Sequence, residues 1–176
     1  MTRISLIGPT GVGKSTLARR VAERFDGVVI KIAEPLYRLQ EEFYRRIGKM
    51  VRGQDGELLQ FLGHKVEKES PGWLATQFLD QVERSQTSLV VNDDCRLNSY
   101  KHLQANGFVF VRVHCEDTIH HARLRADHTS ADPNHEVEKG FDEFDTLFTV
   151  DNSGSIDDSL RQINDSWFLI AEQFSK

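Results

Sequence analysis

The chain has 176 residues, 39% of them hydrophobic and 28% charged, with a formal net charge of −5. That length suits one domain with a substantial core rather than two of ordinary size, and the composition is that of a globular protein, not a disordered or fibrous one. The acidic balance argues against a nucleic-acid-binding surface, which needs a basic field, and no apolar run reaches the length of a membrane span.

In chain order, Arg3-Ile4-Ser5-Leu6-Ile7 reads as a buried strand, short and rich in β-formers. Gly8-Pro9-Thr10-Gly11-Val12-Gly13-Lys14-Ser15 follows and fits the phosphate-binding pattern G-x-x-x-x-G-K-[ST]. Leu17, Val21 and Phe25 then recur every four residues, so the loop opens a helix with one apolar face. A strand that turns sharply into a helix aims unsatisfied backbone N–H groups, and the positive end of the helix dipole, at one place. Lys14 in this pattern reaches the β/γ-phosphates and the Ser15 hydroxyl can ligate Mg²⁺. The first strand begins almost at Met1, so no signal peptide is expected. With only two cysteines, Cys95 and Cys115, the expectation is a reducing, cytoplasmic setting and buried thiols.

Residues 27–32 read as a second strand, stopped by Pro35. Leu36, Leu39, Phe43, Ile47 and Met50 mark one face of a long helix. Leu58, Leu59, Leu62 and Val66 mark a second helix, and Pro71 opens a third carrying Leu74, Phe78 and Val82. So many helices exceed what a simple crossover needs, and such an insertion at the strand ends suits a binding site. Glu34, Gln60 and Trp73 are its candidate residues.

Ser88 to Asp94 is an apolar strand ending in two acids, as a metal-supporting aspartate beside a phosphate loop requires. Alternation leaves open whether Asp93 or Asp94 faces the loop. Arg96 can meet an acceptor's phosphate or carboxylate; the alternative for the Asp93-Asp94-Cys95-Arg96 group is a turn that Asn98 and Ser99 continue. Residues 108–114 form a fourth strand and 117–127 a helix ending in Arg123 and Arg125. The breaker-rich stretch 130–134 follows. Histidines 114, 120, 121, 128 and 135 lack the spacing of a metal site. Residues 147–150 make a fifth strand, and Ile156, Leu160, Ile163, Trp167, Ile170 and Phe174 keep helical spacing to the end. Strands alternating with helices imply an α/β fold with a parallel sheet covered on both faces. No linker or repeat divides residues 1–176, which read as a single domain.

With these pieces placed, the sequence resembles the P-loop nucleotide kinases, most closely the phage-type deoxynucleoside monophosphate kinases. The resemblance runs over nearly the whole chain. It rests on the phosphate loop, Ala33-x-Pro35-Leu36, Leu59-Gln60-x-Leu62-Gly63, Asp94-Cys95-Arg96 and Asn152-x-Gly154-Ser155. It implies a three-layer P-loop kinase fold with a five-stranded parallel sheet ordered 2-3-1-4-5. It also implies that the helices over about 34–86 form the acceptor region, while Arg123 and Arg125 before the breaker-rich stretch lead one to expect a lid over about 123–140. Thr10, Gly11, Val12, Gly13, Lys14, Ser15 and Thr16 would hold ATP, with Asn152 and Gly154 beside its adenine. Glu34, Leu36, Gln60, Trp73 and Arg96 would bind the acceptor. Relatives tend to carry basic residues where this chain has Gly56-Glu57, with Arg52 nearby.

The activity so implied is ATP- and Mg²⁺-dependent phosphoryl transfer to a nucleoside or deoxynucleoside monophosphate. Lys14, Asp94, Arg123 and Arg125 would be catalytic, and Ser15 and Asp94 would position the metal. A phosphate acceptor, with its second pKa near ~6, is ionised at neutral pH and needs no general base. A small hydroxyl substrate would need one, Glu34 or Asp94. A third alternative is a non-catalytic module gated by ATP. The expected partner is the small-molecule acceptor, with neither nucleic acid nor membrane, and a homodimer stays open.

Overall fold

The computed structural model describes residues 1–51, 53–126 and 140–174. Strands β1 (Thr2–Ile7), β2 (Val28–Val29), β3 (Leu89–Asn92), β4 (Val109–His114) and β5 (Phe148–Asp151) form one sheet, ordered β2-β3-β1-β4-β5. Every pairing is parallel, so the expected order 2-3-1-4-5 is the observed one. Parallel neighbours need crossovers. These run through helices α1 (Lys14–Arg24), α2 (Glu34–Arg46), α3 (Gly56–Glu69), α4 (Trp73–Arg84), α5 (Leu97–Ala105) and α6 (Asp117–Ala126). After β5 come α7 (Ile156–Asp165) and α8 (Trp167–Gln173).

Alternating side chains make two cores. Ile4, Leu6, Leu89, Val91, Val111 and Val113 face Leu17 and Val21 of α1, Ile163 of α7 and Ile170 of α8. Ile7, Val90 and Phe110 point to the other face, against Leu36, Phe78, Val82, Tyr100 and Leu103. The period of two is that of strands buried on both sides, and the result is a three-layer α/β fold.

Four local expectations change. The second strand is two residues long: Ile30 N–H still reaches the Val91 carbonyl at 3.0 Å, but the Ile32 and Ala33 amides turn away to the Asp94 carboxylate, each at 2.9 Å. Of the apolar stripe expected on the long helix only Leu36 is buried, and α2 ends at Arg46, before Ile47 and Met50. Leu39, Phe43, Ile47 and Met50 are 43%, 46%, 50% and 87% exposed. The buried face belongs instead to Gln40, whose amide donates to Gly53 O (3.1 Å) and accepts from Asp55 N–H (2.7 Å). Those two bonds tie down the loop before α3 and so fix the rotation of α2. The supposed turn at Asn98 and Ser99 is the start of α5, which buries Ser99, Tyr100 and Leu103. The final helix breaks at Ser166 (φ −95°, ψ 3°), and Trp167 stacks on Phe25 with ring centroids 3.7 Å apart.

Leu103 is fully buried, whereas Phe61 on α3 is 65% exposed. In urea denaturation, Leu103→Ala should therefore lower the unfolding free energy by about 2–5 kcal/mol, and Phe61→Ala by no more than about 0.5 kcal/mol.

Candidate active site

β1 ends at Ile7 and α1 begins at Lys14, and the six residues between make a tight bend. Gly13 caps the helix in the left-handed region, at φ 93° and ψ 17°. A Cβ there would fall on the Asn152 amide nitrogen, and one on Gly8 would fall on the Val113 carbonyl oxygen. Glycine is thus required at both positions by backbone conformation and by space together. Lys14 is buried, and its ammonium donates to Gly8 O (2.6 Å) and Pro9 O (2.7 Å).

Side chains from two distant elements grip the outside of the bend. Asn152, just past β5, donates from Nδ2 to Val12 O at 2.7 Å and accepts from the Ser159 hydroxyl of α7, also at 2.7 Å. From α6, Arg123 donates to Val12 O (3.3 Å) and to Asn152 O (3.0 Å). His120 Nε2 lies 2.7 Å from Thr10 O; a carbonyl only accepts, so Nε2 carries the proton.

A cleft of about 520 Å³ opens in front of the loop. It is lined by Lys14, Ser15 and Thr16 at the start of α1, by Lys31, Tyr37 and Gln54, by Asp93, Asp94 and Arg96 after β3, and by Arg123, Asn152 and Gly154. The two acids differ in their bonding. Asp93 has a fully buried side chain, and Lys31 bonds both its oxygens at 2.8 and 2.9 Å. Asp94 accepts from the Ile32 and Ala33 amides and from Asn92 Nδ2 (2.6 Å). Asn92 in turn accepts from Ser5 on β1, so a buried polar chain joins the central strand to the start of α2. Burial, then the charge of Asp93, raises the Asp94 carboxyl above the usual carboxylate range. Burial and then Asp94 and Asp93 likewise raise the Tyr37 phenol.

Of the residues expected in the site, Thr10, Gly11, Gly13, Lys14, Ser15, Thr16, Asp94, Arg96, Arg123, Asn152 and Gly154 line this cleft, and Val12 is buried behind it. Five others do not line it. Leu36 belongs to the core. Glu34 pairs with Arg38 one turn along α2, at 3.2 Å. Gln60 is half-buried on α3, and Trp73 sits partly exposed at the start of α4. Arg125 is exposed: two helical residues on from Arg123, it points roughly 200° away. Most of the expected lid, His128, His135 and Arg52 lie outside the described residues. Lys31, Tyr37 and Gln54 were not anticipated in the site. Lys31 adjoins a strand end, the usual place for a site residue, but nothing local marks Tyr37 or Gln54.

The donor set fits Mg²⁺ bound to a nucleotide, since it offers a hydroxyl, Ser15, and two acids beside the loop, all oxygen ligands. Among the described residues no group of three or more His, Cys, Asp or Glu side chains is placed to hold a metal on its own, and no helix is long and apolar enough to cross a membrane.

A family model described as an AAA domain matches residues 4–140. No curated protein matches the chain. Among solved structures, the chain is similar to a shikimate kinase from Aquifex aeolicus (TM-score 0.51, 12% identity, 99% of each chain covered). It is also similar to a sugar kinase from Janibacter sp. HTCC2649 (TM-score 0.57, 15% identity, 97% of this chain and 96% of that one). A third is TT1252 from Thermus thermophilus (TM-score 0.57, 19% identity, 95% and 96%). At such identities the likeness is one of fold.

Cys95 lies between Asp94 and Arg96, 1% exposed, and burial followed by the Asp94 charge pushes its thiol up to about 12. At pH 8 the reactive thiolate is then on the order of one part in ten thousand. Half-buried Cys115 is raised as well, but less enclosed. Iodoacetamide at pH 8 should therefore alkylate Cys115 first and Cys95 only on unfolding, as read by peptide mass spectrometry; equal native rates would contradict the enclosure of Cys95.

Proposed function

The chain belongs to the AAA-domain family, and from that premise we propose that it is an ATP- and Mg²⁺-dependent phosphotransferase acting on a nucleoside or deoxynucleoside monophosphate. One observation carries the reading. The phosphate loop opens into a cleft lined by four cations, Lys14, Lys31, Arg96 and Arg123, and both carboxylates lining it, Asp93 and Asp94, are already bonded to donors. Such a site suits two phosphorylated ligands and offers no uncommitted base, which an ionised phosphate acceptor does not need.

The chemistry is then a single in-line exchange. An acceptor phosphate oxygen bonds to the γ-phosphorus of ATP, and the bond from that phosphorus to the β,γ-bridging oxygen breaks. The products are the diphosphate and ADP, with no proton moved. Lys14 and the loop amides hold the β- and γ-phosphates. Arg123, which grips the loop and lines the cleft, adds positive charge beside the moving group, and Lys31 and Arg96 orient the acceptor. Mg²⁺, when bound, neutralises phosphate charge, and Ser15 with Asp93 or Asp94 is where the chain would hold it.

A second reading is transfer to a hydroxyl of a small metabolite, supported by the shikimate and sugar kinases that share the fold. It would require Asp93 or Asp94 to leave its donors and act as base. A mass-spectrometric screen with ATP separates the two. Nucleoside monophosphates should become diphosphates; product formed only from hydroxyl metabolites would replace the first reading with the second, and ADP formation independent of any acceptor would remove both.

Lys14→Ala should reduce turnover on the identified acceptor by at least about 100-fold, the scale of losing one preorganised charge contact in a transition state, with the thermal midpoint near wild type. Turnover within tenfold of wild type would remove Lys14 from the mechanism.

A further inference from the structure

Asn152 is 4% exposed and makes a closed set of bonds. Val12 O can only accept, so the Asn152 nitrogen must face it, and Oδ1 is left to receive the Ser159 hydroxyl. The Asn152 main chain is held as well, its N–H on His114 O (2.8 Å) and its C=O under Arg123. The side chain therefore has little freedom to turn towards a ligand. Its target carbonyl belongs to the peptide that leads into Gly13, the left-handed residue on which the bend depends.

A planar trans peptide points its C=O and N–H in opposite directions. Fixing Val12 O on Asn152 and Arg123 thus fixes the Gly13 N–H on the opposite side. Because glycine accepts either sign of φ readily, nothing in Gly13 itself prevents that peptide from flipping. We infer that Asn152, braced by Ser159, is a positioning residue that holds the Val12–Gly13 peptide with the Gly13 N–H turned towards the nucleotide phosphates, rather than a contact for the adenine. The inference rests on the phosphotransferase reading for its consequence, while its geometry concerns the loop alone.

The experiment compares two probes, ATP and inorganic tripolyphosphate, which has phosphates and no base. Calorimetric affinities are measured for wild type, Asn152→Leu and Ser159→Ala. In Asn152→Leu both affinities should fall by the same factor, about 10- to 100-fold for losing preorganised donors to phosphate, with the ATP-to-GTP preference and the acceptor KM unchanged. Ser159→Ala should shift both in the same direction, less far. A fall for ATP with tripolyphosphate unaffected would make Asn152 a base contact and overturn the inference, and so would no change in either. Should wild type bind neither probe, the phosphotransferase reading fails. The positioning role is then decided by the Gly13 amide resonance in ¹⁵N-labelled protein without nucleotide. It should move in both variants, and a resonance unchanged in both would overturn the role. Ser159→Ala keeps every arm informative should Asn152→Leu fail to fold.

Discussion

The phosphate loop concentrates backbone that is unfavourable by itself. Gly8, Gly11 and Gly13 all have positive φ within six residues, and an ammonium is buried at their centre. Burying a charge costs several kcal/mol unless donors and acceptors are matched, and the Gly8 and Pro9 carbonyls match this one. Other loop carbonyls are matched from outside, Val12 by Asn152 and Arg123 and Thr10 by His120. The bend therefore depends on contacts from residues more than 100 positions away in sequence, and only the β1-β4-β5 pairing brings those residues alongside.

This dependence explains what was legible in sequence and what was not. The loop, the strands and every helix but α5 after them were readable because glycine spacing and hydrophobic period are local signals. The strand order was not local; it came through resemblance to a family. In α2 the period was right and the buried side wrong: apolar spacing identifies a face, but Gln40 wins the inward position through bonds to Gly53 and Asp55 that no period encodes. α5 was hidden by the turn-forming pair Asn98-Ser99, although Leu97, Tyr100 and Leu103 already stood three apart. The site shows the same division. Lys14, Ser15 and Asp94 came from motif, whereas Glu34 rested on following a strand end and Gln60 and Trp73 on lying in the helical insertion, neither of which says where a side chain points.

The neighbouring acids just past β3 show how one position separates two roles. Asn92 and Asp94 share a face and join in the polar chain from Ser5 to the Ile32 and Ala33 amides, so Asp94 shapes the turn into α2. Asp93 instead pairs with Lys31. A cation that leaves Asp93 for an acceptor would uncover a carboxylate beside Ser15; Asp94 cannot be uncovered without loosening the turn.

The charge arrangement also bears on selectivity between anions and neutral ligands. The chain is acidic as a whole, yet its cleft has four cations against two carboxylates. One of the cations, Lys14, donates to the Gly8 and Pro9 carbonyls of the loop itself. A phosphate oxygen carries a negative charge that a carbonyl lacks and so attracts a cation more strongly, which makes exchange of one for the other favourable for a phosphorylated ligand. For a neutral ligand the same exchange returns nothing, since it would leave a carbonyl unmatched and supply no charge in return. Discrimination thus follows from donors that already have adequate partners, so that only a better acceptor displaces them.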